Sequence, residues 1–206
     1  MAQTDTASMA STTRSSAGAG VWIYRVLIIA GAAFMLYSWF QPWWSTDIAV
    51  VKGEKDMILH PWGVEAAAQV RANMDESLFQ MPFPQVFAGF MWVYLAVSML
   101  GLAASLFWTK TYSVGRITVS WALTITLLIG LTYMMAVGLA YGIGTLKASA
   151  SGINFIGKAT WQEPVSHAKL KMVSQLELGY WLSLGAGGFL TLVALARPLF
   201  IRRPKV

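Results

Sequence analysis

The chain of 206 residues contains no cysteine. That absence excludes disulfides, Cys-ligated zinc, iron–sulfur clusters and a thiol nucleophile. Charge is scarce as well. Asp, Glu, Lys and Arg make up 12% of the chain, about half their share in a soluble domain. Histidine occurs twice, at His60 and His167. Neither a His-x-x-His nor a Glu-x-x-His spacing is present, so the usual helical metal motifs are missing. No P-loop, nucleophile elbow or paired-carboxylate motif occurs either. No cofactor is predicted.

What is abundant is apolar. Hydrophobic residues reach 56%, with ten Trp among them, and they sit in long blocks with neither a period of 2 nor of 3.6. Crossing about 30 Å of hydrocarbon takes about 20 mostly apolar residues. Four segments meet that need: roughly 22–40, 85–108, 117–143 and 178–200. Each is too long for a strand, and an open sheet cannot exist in lipid. The expected fold is therefore an all-α, four-helix membrane bundle, with a small α/β cap built from the two longer loops, 41–84 and 144–177. Residues 1–20, rich in Ser, Thr, Ala and Gly, read as a disordered tail. Residues 202–206 form a short basic tail. The first block ends in Trp-Phe-Gln-Pro-Trp-Trp, a poor cleavage site, so it reads as a retained span and not a signal peptide.

Charge sets the expected orientation. Both termini and the loop 109–116 carry Arg14, Arg25, Lys110, Arg116, Arg197, Arg202, Arg203 and Lys205, against the single acid Asp5. The two longer loops hold the remaining seven basic and eight acidic residues. By the positive-inside rule both termini are cytoplasmic and the long loops face outward. The net charge of +6 is thus a topology and lipid-anchor signal, and no nucleic acid is expected as a partner. Trp39, Trp43, Trp44 and Trp181 are expected at the outer interface, Trp22 and Trp108 at the inner one. Trp92 and Trp121 are expected deeper, between helices.

The loops divide further. Asp47–Val51 and Met57–His60 flank a Lys-Gly-Glu-Lys-Asp turn and predict a hairpin. Val64–Phe79 reads as a helix, Ile153–Ile156 as a strand, Gly157–Pro164 as a loop and Val165–Glu177 as a helix. A strand of the second loop could pair with the hairpin. A long first loop with a hairpin, a short inner loop and a shorter second loop is similar to the tetraspan plan of claudin-like proteins. Their first loop carries Trp-Gly-Leu-Trp and two cysteines. Here Trp62-Gly63 is followed by Val64-Glu65 and cysteine is absent, so the likeness extends to topology alone. The Gly179–Gly188 run also resembles the last helix of many small bacterial four-span proteins, and a bacterial or archaeal cell membrane is the expected setting.

Three functional expectations follow. The span middles hold no ionisable residue of the kind that carries ions or protons. Small-x-x-x-small pairs at Gly101/Ser105, Gly138/Gly142 and Ser183/Gly187 predict close helix packing. Together these point to a non-catalytic structural, accessory or assembly subunit, with the bilayer and other membrane subunits as partners. A metal-dependent oxidase or monooxygenase is one such partner. The alternatives are a small channel or transporter that uses a hydroxyl face of the third span, marked by Ser120 and Thr124, and a copper-binding cap that uses His60, His167 and Met57.

Overall fold

The computed structural model describes residues 6–47, 56–67, 85–108, 110–114, 117–150, 154–162 and 169–201. Four long helices dominate it: α1 (Thr6–Trp39), α2 (Gln85–Phe107), α3 (Trp121–Ala150) and α4 (Leu178–Phe200). Each contains a stretch long and apolar enough to cross a membrane, at Gly18–Trp39, Ala88–Phe107, Trp121–Ala150 and Leu178–Phe200. Apolar side chains cover their outer surfaces, including Leu100, Leu128, Leu192 and Leu199. Such helices, hydrophobic all round, belong in lipid.

The helices pack in a ring, α1 against α2, α2 against α3, α3 against α4 and α4 back against α1, with α3–α4 and α1–α4 the most extensive pairs. Glycines set the close approaches. A Cβ on Gly187 would lie 2.6 Å from Met134 Cγ and 2.9 Å from the Gly130 carbonyl oxygen. A Cβ on Gly31 would lie 2.5 Å from a Leu190 methyl, and one on Gly179 would lie 2.4 Å from the Pro42 carbonyl oxygen. The α3–α4 and α1–α4 contacts therefore use backbone against backbone or side chain, as small residues permit where no hydrophobic drive between helices exists.

Two sheets sit at opposite ends of the bundle. At one end, β1 (Trp44–Asp47), β2 (Met57–His60), β3 (Gly63–Ala66), β6 (Gly157–Gln162) and β7 (Lys169–Leu176) form an antiparallel sheet of order β3-β2-β1-β7-β6. At the other, β4 (Thr111–Val114) and β5 (Ile117–Ser120) form a hairpin. The five-stranded sheet joins both long loops through β1 and β7, paired from Trp44↔Leu176 to Asp47↔Val173. Its foot is stitched to the bundle: the Glu177 N–H donates to the Trp43 carbonyl at 2.9 Å, and the Gly179 N–H donates to the Pro42 carbonyl at 2.9 Å.

Several expectations change here. The cap is a β-sheet among the described residues and not an α/β unit. Val64–Ala66 is strand, not helix, because the Pro61-Trp62 turn folds it back on β2 from His60↔Gly63 to Met57↔Ala66; residues 68–79 lie outside the described residues. Lys169–Leu176 is strand, not helix. Its sequence alternates polar and apolar over Lys-Leu-Lys-Met alone, but its burial alternates further: Met172 and Ser174 are buried while Lys171, Val173 and Gln175 are exposed. That is the period of a half-buried strand. Residues 157–162 pair with it instead of forming a loop, and 154–156 precede the strand instead of making it. β2 forms as expected and pairs with β1 as a hairpin, but β1 lies earlier than the expected strand Asp47–Val51 and shares only Asp47 with it; residues 48–51 and most of the Lys-Gly-Glu-Lys-Asp turn lie outside the described residues.

The third span is displaced. Ile117–Ser120 belongs to β5, and the helix runs from Trp121 to Ala150. β-Branched Ile-Thr-Val favours the strand, and Ser120 Oγ accepts from the Leu123 N–H at 3.4 Å in the manner of an N-cap. At about 1.5 Å per residue, the 30 residues of α3 are longer than the about 30 Å of hydrocarbon a span crosses. Helix α1 likewise begins at Thr6, inside the stretch expected to be a disordered tail. A span already helical can propagate into adjoining Ala-rich sequence without a new nucleus.

Candidate functional site at the junction of sheet and bundle

Polar groups from three spans meet just below the five-stranded sheet. Ser38 on α1, Tyr133 on α3 and Ser183 on α4 are each fully buried. Trp43, on the short link from α1 to β1, is 2% exposed. The Trp43 indole N–H donates to Ser183 Oγ at 3.0 Å. The Tyr133 hydroxyl donates to the same oxygen at 3.1 Å, and it lies 3.1 Å from Ser38 Oγ. Ser38 Oγ also donates to the Met35 carbonyl at 2.8 Å. Three helices and the root of the sheet thus converge on one hydroxyl cluster. In a dry core each bond is held by the cost of leaving its donor unmade.

An aromatic ladder flanks this cluster. Trp39 packs on Trp92 of α2 with centroids 5.9 Å apart, Trp92 stacks on Trp62 at 5.7 Å, and Trp62 stacks on His60 at 4.6 Å. Phe40 closes on Trp62 from the side at 5.6 Å. On the opposite flank Trp44 stacks on Phe155 at 5.3 Å and donates its indole N–H to the Phe155 carbonyl at 2.8 Å. Tyr141 meets Phe155 edge-on. These rings weld the sheet to the helix ends.

The interface expectations for tryptophan are revised accordingly. Trp39 is fully buried and Trp43 nearly so; they serve the junction and not the lipid interface. Trp92 and Trp121, expected between helices, are 44% and 42% exposed. Trp121 stacks on Trp108 and tilts against Tyr112 beside the β4–β5 hairpin. Trp22, Trp108 and Trp181 are exposed, and Trp44 is half-buried.

His60 is 8% exposed. Its Nε2 lies 3.7 Å from Glu65 Oε2 on β3, and its Nδ1 has no hydrogen-bond partner among the described residues. Burial holds its pKa below the ordinary imidazole value, while the Glu65 charge and the Gln41 backbone pull in the opposite direction. Met57 stands three residues away on the same strand, hence on the other face of the sheet. His167 lies outside the described residues. No group of three His, Asp or Glu able to hold a metal occurs among the described residues.

The third-span hydroxyls are largely spent within the fold. Thr124 Oγ1 donates to the Ser120 carbonyl at 3.3 Å and lies 2.7 Å from the Tyr112 hydroxyl. Thr126 donates to the Ala122 carbonyl at 2.8 Å. Thr132 donates to the Leu128 carbonyl at 2.7 Å and meets Tyr94 of α2 at 2.9 Å. These are the i−4 back-bonds open to Thr in a helix.

The small-residue pairs separate into two kinds. Gly101 faces Ile129 and Ile125 of α3, with 3.0 and 3.3 Å from an added Cβ, while Ser105 is buried and donates to the Leu102 carbonyl. Ser183 and Gly187 face α3. Gly138 and Gly142, by contrast, meet no described atom within 4 Å of an added Cβ. Among the basic positions, Arg25 lies over Trp22 at 5.7 Å and Arg197 over Tyr24 at 5.5 Å. Lys110 is exposed just ahead of β4. Arg116, Arg202 and Arg203 lie outside the described residues.

Sequence reasoning missed Tyr133, Trp62 and Phe155 as junction residues. The available signal was that Ser38, Tyr133 and Ser183 place hydroxyls in otherwise apolar spans, where a polar group demands a partner. The chain matches no family model, no curated protein and no solved structure.

Proposed function

We propose that this chain is a non-catalytic subunit of a larger membrane complex, anchored by four spans and presenting a rigid sheet beyond the bilayer. The observation that carries the reading is how polar and small residues are distributed. The buried hydroxyls of Ser38, Thr126, Tyr133 and Ser183 are bonded to each other or to backbone inside the fold, whereas Gly138 and Gly142 meet no described atom within 4 Å of an added Cβ and Leu139 between them is exposed. A bundle that ties these hydroxyls internally and keeps a backbone-accessible wall is suited to seating another helix. The bias of basic residues supports an orientation with both termini in the cytoplasm and the five-stranded sheet outside.

The reading is tested by placing a photo-activated cross-linking residue at Leu139 of α3 or at Leu192 of α4, both exposed, in native membranes. Capture of one discrete polypeptide from Leu139, and of lipid alone from Leu192, is the expected result. Lipid alone from both positions would contradict it.

A further inference from the structure

The β6–β7 hairpin carries three cations on one face. Register sets Lys158 opposite Val173, Thr160 opposite Lys171 and Gln162 opposite Lys169. Paired residues share a face, so Lys158, Lys171 and Lys169 stand together, and all three are exposed. The acids of that face lie on the inner strands and at the foot of the sheet. Asp47 pairs with Val173, level with Lys158 on the other side of β7. Glu65 shares the face through Ile58 and Ser45, and Glu177 sits at the foot of β7, where Ser45 and Gln175 donate to it. Charge across the face therefore runs from negative on β1 and β3 to positive on β7 and β6.

A second observation concerns the edge. The strand order ends at β6, so its outer side pairs with no other described strand. An edge strand offers a row of backbone N–H and C=O groups to an incoming chain. Lysine beside such an edge repels neutral or basic newcomers, and the same charge draws an acidic one. The spacing also fits. Along the strands Lys158, Lys171 and Lys169 stand at successive same-face registers, roughly 6.8 Å apart, the repeat of alternate side chains on an added strand.

We propose that the outer edge of β6 takes an extended acidic segment of a partner protein as a sixth strand, with its carboxylates on the face of Lys158 and of Lys171 and Lys169 one strand further in. This rests on the partner-subunit reading above. A polypeptide is favoured over a lipid headgroup because Lys169 opens the eight-residue β7, about 27 Å along an extended strand from the start of α4.

The test uses the full chain in nanodiscs of zwitterionic lipid and a fluorescent eight-residue peptide of alternating Glu and Thr. The peptide is expected to bind, and the K158Q/K169Q/K171Q variant is expected to bind it at least tenfold more weakly. A fully N-methylated peptide keeps the carboxylates but removes the donors, and it is expected to lose binding as well. Failure of the parent peptide to bind, equal binding to the variant, or equal binding of the N-methylated peptide would overturn the proposal. Lysine-dependent binding of anionic vesicles without peptide binding would overturn it in favour of a lipid. A chain that co-purifies with a partner but ignores the peptide refutes the edge site alone. A lone monomer that binds the peptide refutes the partner-subunit reading and leaves the edge site standing.

Discussion

Replacing Ser183 with alanine removes the acceptor shared by the Trp43 indole and the Tyr133 hydroxyl. Tyr133 retains Ser38 at 3.1 Å, so its loss is partial. Trp43 is 2% exposed and is left with an indole N–H in a dry site. An unsatisfied buried donor costs about 1–3 kcal/mol in soluble proteins. Inter-helix hydrogen bonds in membranes average about 0.6 kcal/mol, with a maximum near 1.7. The expected cost of Ser183→Ala is therefore about 1–2 kcal/mol, a factor of roughly 5–30 in the folded-to-unfolded ratio. Trp43→Phe supplies the second arm of a double-mutant cycle. With no indole N–H to strand, Ser183→Ala should cost less in that background, giving a coupling of about 1 kcal/mol. Unfolding by SDS in mixed micelles, followed by far-UV circular dichroism, measures all four corners. Additivity within about 0.3 kcal/mol would refute the claim that this cluster ties the sheet to the bundle.

Other outcomes follow from the same geometry. Gly187→Leu forces a side chain onto Met134 and the Gly130 carbonyl, and overpacking of this kind costs about 1–3 kcal/mol or more; the same SDS titration should show an earlier midpoint. Gly138→Ile, which meets no described atom, should leave that midpoint unchanged. His60 adds a pH dependence. Its pKa is lowered in the folded state by burial, so its neutral form is the one the junction holds. Stability should be full above the unfolded imidazole value of about 6.5, and should fall as pH drops from there toward the folded value. His60→Gln should flatten thermal melts across that window.

Much of the framework was legible in the sequence because a bilayer is a demanding solvent. The four apolar blocks could be nothing but helices, and the structure has four helices that meet the requirement. The packing face of each was not legible. On α2 the buried residues are Met91, Leu95, Ser98, Leu102 and Ser105, spaced four and three apart. Between them stand Phe90, Val93, Val97 and Leu100, equally apolar and exposed. When lipid and core are both greasy, hydropathy carries no periodicity. The loops failed for a different reason. In Lys169–Leu176 the apolar Val173 is exposed and the polar Ser174 buried, which breaks the period-2 pattern in the sequence, while the pairing of Val64–Ala66 with β2 overrides its local propensity. Ser183 and Gly187 were identified as a packing pair, but their counterparts Tyr133 and Gly130 stand on another helix with no local pattern to mark them. Gly138 and Gly142 form the same sequence pattern as Ser183 and Gly187, yet the two pairs meet different surroundings. A small-x-x-x-small pattern alone does not say which neighbour it awaits.

The proposed role requires α3 to seat a helix from another protein. It is measured most directly by the mass of the tagged chain released from native membranes in a mild detergent, taken for the wild type and for Gly138→Ile/Gly142→Ile. A complex heavier than the chain by one defined polypeptide is expected, lost in the variant while the variant remains folded. A lone monomer in both samples, or a second polypeptide retained unchanged by the variant, would contradict it.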